Sequence, residues 1–216
     1  MTSQQAISDP AVFDGAFDVG LFSRWPIVHS EYRELSSYFV RASVLHARVL
    51  MPGFAPVDAF CTHLGSPLGV IPYRGKYGSW EGEHLQQVKE ILEFVREKSN
   101  DDRPLLLLGD FNMGPKTAFS DPVWERHYWM TIGAGLDNAY LSGGSARCTS
   151  CAGTTFRDSS ATNQLIDHVF SMGLSTRNSK WERLFDVPVA ITHDVPAFNL
   201  SDHTGLRVTF SRSDQH

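Results

Sequence analysis

The sequence predicts an α/β fold of packed sheets with function carried on the loops at one end, and three features predict it. Residues 38–49 and 57–62 are rich in β-branched and aromatic types on either side of a Pro/Gly break, as strands are. Leu85, Val88, Ile91, Leu92 and Val95 recur at helical spacing. Leu105, Leu106, Leu107 and Leu108 then follow Pro104 as an apolar run that fits a strand buried on both faces.

Taken in order, the polar stretch 1–9 lacks the basic-then-apolar pattern of a secretory signal, which leaves the compartment open. The two strands follow. Residues 65–79 hold four glycines and two prolines among Tyr73, Arg74, Lys76 and Tyr77, which predicts a long loop. Ser79 is placed to cap the helix, with Glu81 and Glu83 in its first turn. The helix ends in the polar residues 98–102, and the leucine strand delivers Gly109 and Asp110 at its tip. Downstream, 165–170 and 206–210 are strand-like; in the second, Leu206, Val208 and Phe210 alternate with Arg207 and Thr209. The remainder reads as loop, with no repeat and no low-complexity tract.

At 216 residues the expectation is one domain over 1–216 with a single core. A hydrophobic share of 42% and a charged share of 20% are those of an ordinary globular chain. The formal charge of −5 argues against loose, charge-driven binding to nucleic acid or an anionic membrane. No run approaches the roughly 18 apolar residues of a spanning helix. Cys61, Cys148 and Cys151 are an odd number, which argues against a disulfide framework. Cys148-x-x-Cys151 lacks a second pair for zinc and is expected to be structural or incidental, with a local disulfide or redox pair as the alternative.

Four short motifs could carry chemistry. Asp110 and Asn112 follow a buried strand in a turn opened by Gly109, which presents a carboxylate and an amide at a sheet edge. The carboxylate suits a magnesium-like cation and the amide a phosphate oxygen, although Gly-Asp-x-Asn is also a common turn. Asp202 and His203 sit in a polar stretch leading into a strand, where the imidazole can act as base or, protonated, hold an anion. Asp167 lies in an otherwise apolar strand, and burying it costs several kcal/mol unless it is paired. His203 is the natural partner, in an Asp-His dyad. His63 ends the 57–62 strand as a second imidazole, structural when taken singly.

Together these motifs resemble the endonuclease/exonuclease/phosphatase superfamily. The order is Thr-His-Leu after a strand, a helix, Leu-Leu-Gly-Asp-Phe-Asn, Ile-Asp-His-Val-Phe, then Leu-Ser-Asp-His. Gly20-Leu-Phe-Ser23-Arg24-Trp25-Pro26-Ile27 is similar to a further strand of that family, so the resemblance covers about 20–210. It implies a four-layer α/β sandwich, two mostly antiparallel sheets flanked by helices. It implies His203 as catalytic histidine, either base or phosphate ligand, with Asp167 orienting it. Asp110 would activate water or protonate the leaving group, and Asn112 would stabilise the pentacoordinate phosphorus. His63 would be a phosphate-binding or acid histidine. Asp202 and Asp110 would stand on or near a divalent cation, Mg2+ or Mn2+.

One departure follows from the same comparison. The family places an Asn strand and a Glu strand ahead of Ser-Arg-x-Pro-Ile, and Ser23 lies too near Met1 for either. Glu31 and Glu34 come after that motif and read as surface carboxylates. The chain is therefore expected to lack the first strands, with a partner or second chain covering an exposed sheet edge. The expected reaction is metal-dependent hydrolysis of a phosphoester, most simply a phosphodiester, with a slight lean to a sphingomyelinase-like lipid. A nuclease using Arg24, Arg74, Lys76 and Lys116 is the alternative, and a non-catalytic binding domain with a broken metal site is another. A zinc enzyme built on the nine histidines is disfavoured, because no pair shows a ligand spacing such as His-x-x-x-His on a helix.

Overall fold

Ser79 starts the helix where the sequence places it: its side chain accepts a hydrogen bond from the Gly82 amide at 2.9 Å, and α1 runs Trp80–Lys98. Glu81 and Glu83 occupy the first turn and Arg96 and Lys98 the last, the polarity that the helix dipole favours. The structure is a computed structural model, described over residues 4–7, 19–53, 55–99, 103–141, 146–176, 179–190 and 196–210. Parts of the polar amino terminus (1–3, 8 and 9) and of the tail after α1 (100–102) lie outside the described residues.

Strands β1 (Gln4–Ile7) and β2 (Gly20–Ser23) form an antiparallel ribbon. A six-stranded sheet then contains β3 (Ile27–Leu35), β4 (Ala42–Val49), β5 (Val57–His63), β6 (Leu105–Asp110), β7 (Asp137–Asn138) and β8 (Asp167–Met172). Its order is β3-β4-β5-β6-β8-β7. Every neighbouring pair is antiparallel except β5 and β6, which the α1 crossover joins in parallel. A second ribbon pairs β9 (Lys180–Leu184) with β10 (Gly205–Thr209), and a short helix α2 spans Glu125–Gly133.

The strand alternation divides the core into two layers. Val44, Phe60, Leu105, Leu107 and Phe170 pack under Val88, Ile91, Phe94 and Val95 of α1 and Tyr128 of α2. On the opposite face, Leu45, Ala47, Cys61 and Leu108 meet Val19, Leu21 and Ile27. The β9–β10 ribbon adds Trp181 and Leu206, packed against Tyr140 and Leu165. The architecture is an α/β sandwich whose second layer, among the described residues, is made of the two ribbons. That narrow layer explains one departure from expectation: Leu105 and Leu107 are fully buried, whereas Leu106 and Leu108 are only half-buried.

Other expectations shift for local reasons. The strand expected from residue 38 begins at Ala42, because α1 turns the chain just before it. Glu90 accepts hydrogen bonds from the Ser36 amide and hydroxyl, and Gln87 donates to the Ser36 carbonyl. Strand β3 escaped the apolar pattern because it is an edge strand carrying His29, Glu31, Arg33 and Glu34, side chains that blunt such an edge. Helix α2 lacks a side-chain cap, its N-cap Trp124 being in the left-handed region. Cys148 and Cys151 form a local disulfide, with Cα atoms 5.3 Å apart, which corrects the incidental reading; Cys61 is free and buried. No helix is long and apolar enough to cross a membrane among the described residues.

Candidate active site

Sheet register puts three of the sequence-selected side chains in one row. His63 at the end of β5 lies opposite Asp110 at the end of β6, and Asp110 lies opposite Asp167 at the start of β8. Gly109 has φ +141°, and a Cβ there would run into the Thr62 carbonyl, so glycine is what allows β6 to approach β5 this closely. The turn that follows is held from several sides. The Asn112 amide donates to Asp110 Oδ1 at 2.8 Å and the Phe111 amide to the Ile166 carbonyl at 2.9 Å. Two buried imidazoles reach its carbonyls: His84 Nε2 bonds Phe111 O at 2.7 Å, and His168 Nε2 bonds Met113 O at 2.8 Å.

Asn112 itself sits at φ +47°, a left-handed conformation that Asn tolerates better than most residues. Its side-chain Nδ2 donates to the Leu64 carbonyl at 2.7 Å and the residue is buried, so the amide also ties the ends of β5 and β6 together. His203 arrives from the turn before β10. Its Nδ1 lies 2.9 Å from Asp167 Oδ2 and 3.9 Å from Asp110 Oδ2, while His63 Nε2 is 3.4 Å from the same Asp110 oxygen. Asp167 thus has the partner that its burial demands.

A residue that no sequence signal singled out assembles this side of the cluster. Thr149 is fully buried; its Oγ1 accepts from the Ile166 and Asp167 amides at 3.1 and 3.0 Å. Its carbonyl accepts from the Thr204 amide at 2.8 Å. One threonine therefore fixes the start of β8 and the His203 turn relative to each other. It stands in a Ser/Thr-rich loop, where nothing in the sequence distinguishes it from its neighbours.

The electrostatics follow from crowding. Burial, then the Asp167 charge, pushes Asp110 up to about 7, against the opposing pull of the Asn112 amide and His203. Burial disfavours charge on His203, but the hydrogen bond and charge of Asp167, with Asp110 and Asp202 behind them, outweigh it and raise the imidazole to about 9. His63 goes the other way, lowered by burial and by the neighbouring His203 despite Asp167.

Asp110, Asp167 and His203 each offer a ligand atom, all within 4.8 Å of one another. Two hard carboxylates that close, one of them driven toward protonation, fit a divalent cation. Asp202, expected on or near the metal, is exposed and outside that group, its Oδ1 accepting from Ser201 Oγ at 3.4 Å; its charge acts on Asp110 and His203. Glu31 and Glu34 lie on β3, three strand spacings or about 14 Å from β6. Of the basic residues considered for nucleic acid, Lys116 lines a cavity of about 730 Å³ together with Arg147, Arg183, Asn163, Asn199 and Thr204, next in sequence to His203. Arg24 packs over Trp25.

Residues 3–203 match the sequence model of the Endonuclease/Exonuclease/phosphatase family. The chain belongs to this family. Members of the Endonuclease/Exonuclease/phosphatase family are generally hydrolytic and dependent on a divalent metal. Similar solved structures include D. rerio TDP2 complexed with a single strand DNA product, at 15% identity over 96% of this chain and 77% of that one, TM-score 0.66. SmcL matches at 16% identity over 89% of this chain and 68% of its own, TM-score 0.65. Sphingomyelinase C from Streptomyces griseocarneus matches at 16% identity over 89% and 67%, TM-score 0.61. At such identities these likenesses show the shared fold. No curated protein sequence matches significantly.

Proposed function

We propose that this chain hydrolyses a phosphodiester at the row formed by His63, Asp110 and Asp167, with His203 facing it. The observation that carries this reading is the His203 Nδ1 to Asp167 Oδ2 contact at 2.9 Å, with Asp110 Oδ2 3.9 Å from the same nitrogen. Asp167 holds the imidazole with its Nε2 turned outward, and the charge on His203 stabilises a phosphoryl oxygen as negative charge accumulates there. Asp110 takes a proton from the attacking water while that oxygen bonds to phosphorus; the bond to the leaving oxygen breaks and the electron pair departs with it. His63, whose Nε2 is 3.4 Å from Asp110 Oδ2, would contact the same phosphoryl group. Asp110 and Asp167 would hold a divalent cation, Mg2+ or Mn2+, which supplies Lewis-acid charge neutralisation when bound.

Two substrate classes have support in different parts of the surface. The loop after His63 carries Val70, 95% exposed, and the half-exposed Tyr38 and Phe39 stand on the segment before β4, exposed apolar side chains that suit the lipid reading. Lys116, Arg147 and Arg183 in the cavity beside Thr204 suit a second phosphate, as a nucleic-acid strand would present. Assays of the purified chain with Mg2+ or Mn2+ on bis-p-nitrophenyl phosphate, sphingomyelin vesicles and single-stranded DNA separate these. Turnover that falls at least about 100-fold in His203→Ala is the expected result. A folded chain that cleaves none of the three with either metal would replace hydrolysis by the non-catalytic reading.

A further inference from the structure

A second group of metal-ligand side chains, remote from the row above, comes together only in the fold. His29 and Glu31 are on the edge strand β3, and His46 on β4 is the register partner of Glu31. His29 Nε2 lies 2.9 Å and His46 Nδ1 3.5 Å from the same oxygen, Glu31 Oε1. All three ligand atoms fall within 4.8 Å of one another. Four ligands at zinc distances of 2.0–2.1 Å in a tetrahedron stand about 3.3 Å apart, so this spacing needs little adjustment.

The buried imidazole supplies the independent observation. His46 is 1% exposed and stacks on Phe60 at a ring-centroid distance of 4.6 Å. Its Nε2 lies 2.8 Å from Asp58 Oδ1, and Asp58 is itself held by Arg48 Nε at 2.9 Å and Arg103 Nε at 2.7 Å. A carboxylate so placed accepts a hydrogen bond from Nε2–H, and in the neutral imidazole that tautomer leaves the buried Nδ1 with its lone pair toward Glu31. That Nδ1 has no hydrogen-bond partner among the described residues and looks toward a carboxylate oxygen. A buried lone pair facing a carboxylate oxygen is an arrangement that a cation between them relieves, whether a divalent metal or a proton on Nδ1. A carboxylate behind an imidazole is also the usual support for a metal-ligating histidine, because it fixes the tautomer and raises the basicity of the other nitrogen.

We infer that His29 Nε2, Glu31 Oε1 and His46 Nδ1 form a binding site for a borderline divalent cation of the zinc class. Two imidazoles and one carboxylate match zinc rather than magnesium or calcium, which take oxygen ligands. Three protein ligands leave the fourth position to water, on the side where His29 is half-exposed. Lys98 Nζ holds the other Glu31 oxygen, Oε2, at 2.9 Å, so it orients the carboxylate without occupying Oε1. The bound cation would fasten the edge strand β3 to β4. Spacing along the chain hides the site, since β3 and β4 bring the two histidines together from 17 positions apart.

The test uses an untagged chain carrying Asp110→Asn, which disables the other metal cluster and makes the outcome independent of the phosphoester reading. Titration with Co2+ should produce the intense visible absorption of a four-coordinate ion at one equivalent, and Zn2+ should abolish it. Adding His29→Ala or Glu31→Gln should weaken Co2+ binding at least tenfold. Both positions lie on the partly exposed edge strand, and circular dichroism verifies the fold. Co2+ affinity unchanged by both substitutions, or no Co2+ spectrum at millimolar metal, would overturn the site.

Discussion

Asp58 and Asp110 stand at opposite ends of the parallel strand pair β5–β6, and the protein treats the two carboxylates in opposite ways. Asp58 is fully buried, yet it receives Arg103, His46 and Arg48, and although burial works against its charge these contacts hold it below the usual carboxylate range. Asp110 is less buried but faces Asp167, and burial together with that like charge raises it to about 7. One end of the sheet is compensated and the other is left in want of positive charge. The difference separates a carboxylate that braces the fold from one that, in the proposed function, serves a cation or a proton.

The largest test of this contrast is Asp58→Ala. It leaves Arg103, Arg48 and His46 facing one another without their anion, and should cost about 3 to 5 kcal/mol in urea unfolding, toward the low end because both arginines are partly exposed. A loss under about 1 kcal/mol would remove Asp58 from its bracing role.

Asp110→Asn should act in the reverse sense, reducing phosphodiester turnover at least about 100-fold while stabilising the chain. The sign follows from linkage. The folded value near 7 exceeds the unfolded carboxylate value of about 3.9, so the contribution of Asp110 is fully present below about pH 4 and is lost as pH rises through 7. In EDTA, Asn at this position should therefore gain about 1 to 3 kcal/mol at pH 8, fading as pH falls toward 4. A gain that stays flat with pH would show that charge crowding is not the cause.

Thr149→Val should give the smallest effect, about 1 to 2 kcal/mol from the unsatisfied Ile166 and Asp167 amides. Turnover should fall more than stability does, because the Asp167 to His203 contact loosens. Wild-type kcat in the variant would confine Thr149 to a structural role.

Much of this molecule could be read along the chain, for identifiable reasons. Helix α1 announces itself through Ser79 and the spacing of Val88, Ile91 and Val95, since capping and amphipathic periodicity are local properties. His63, Asp110, Asp167 and His203 stand out because polar residues at the ends of apolar strands are conspicuous, and the register then sets the first three side by side. Strand β3 was hidden, because a charged edge strand has no apolar alternation to detect. Helix α2 was hidden too, having no side-chain cap.

What the sequence by itself determined is thus the local vocabulary: helix, buried strands, turn residues and the types of side chain available for catalysis. Only the tertiary structure decided which of them meet. It pairs His203 with Asp167 across 36 positions, places the unremarked Thr149 beneath both, and joins His29 to His46 across the β3–β4 pair. Contacts of that kind depend on strand register and on the burial of distant segments, which no periodicity within a short window encodes.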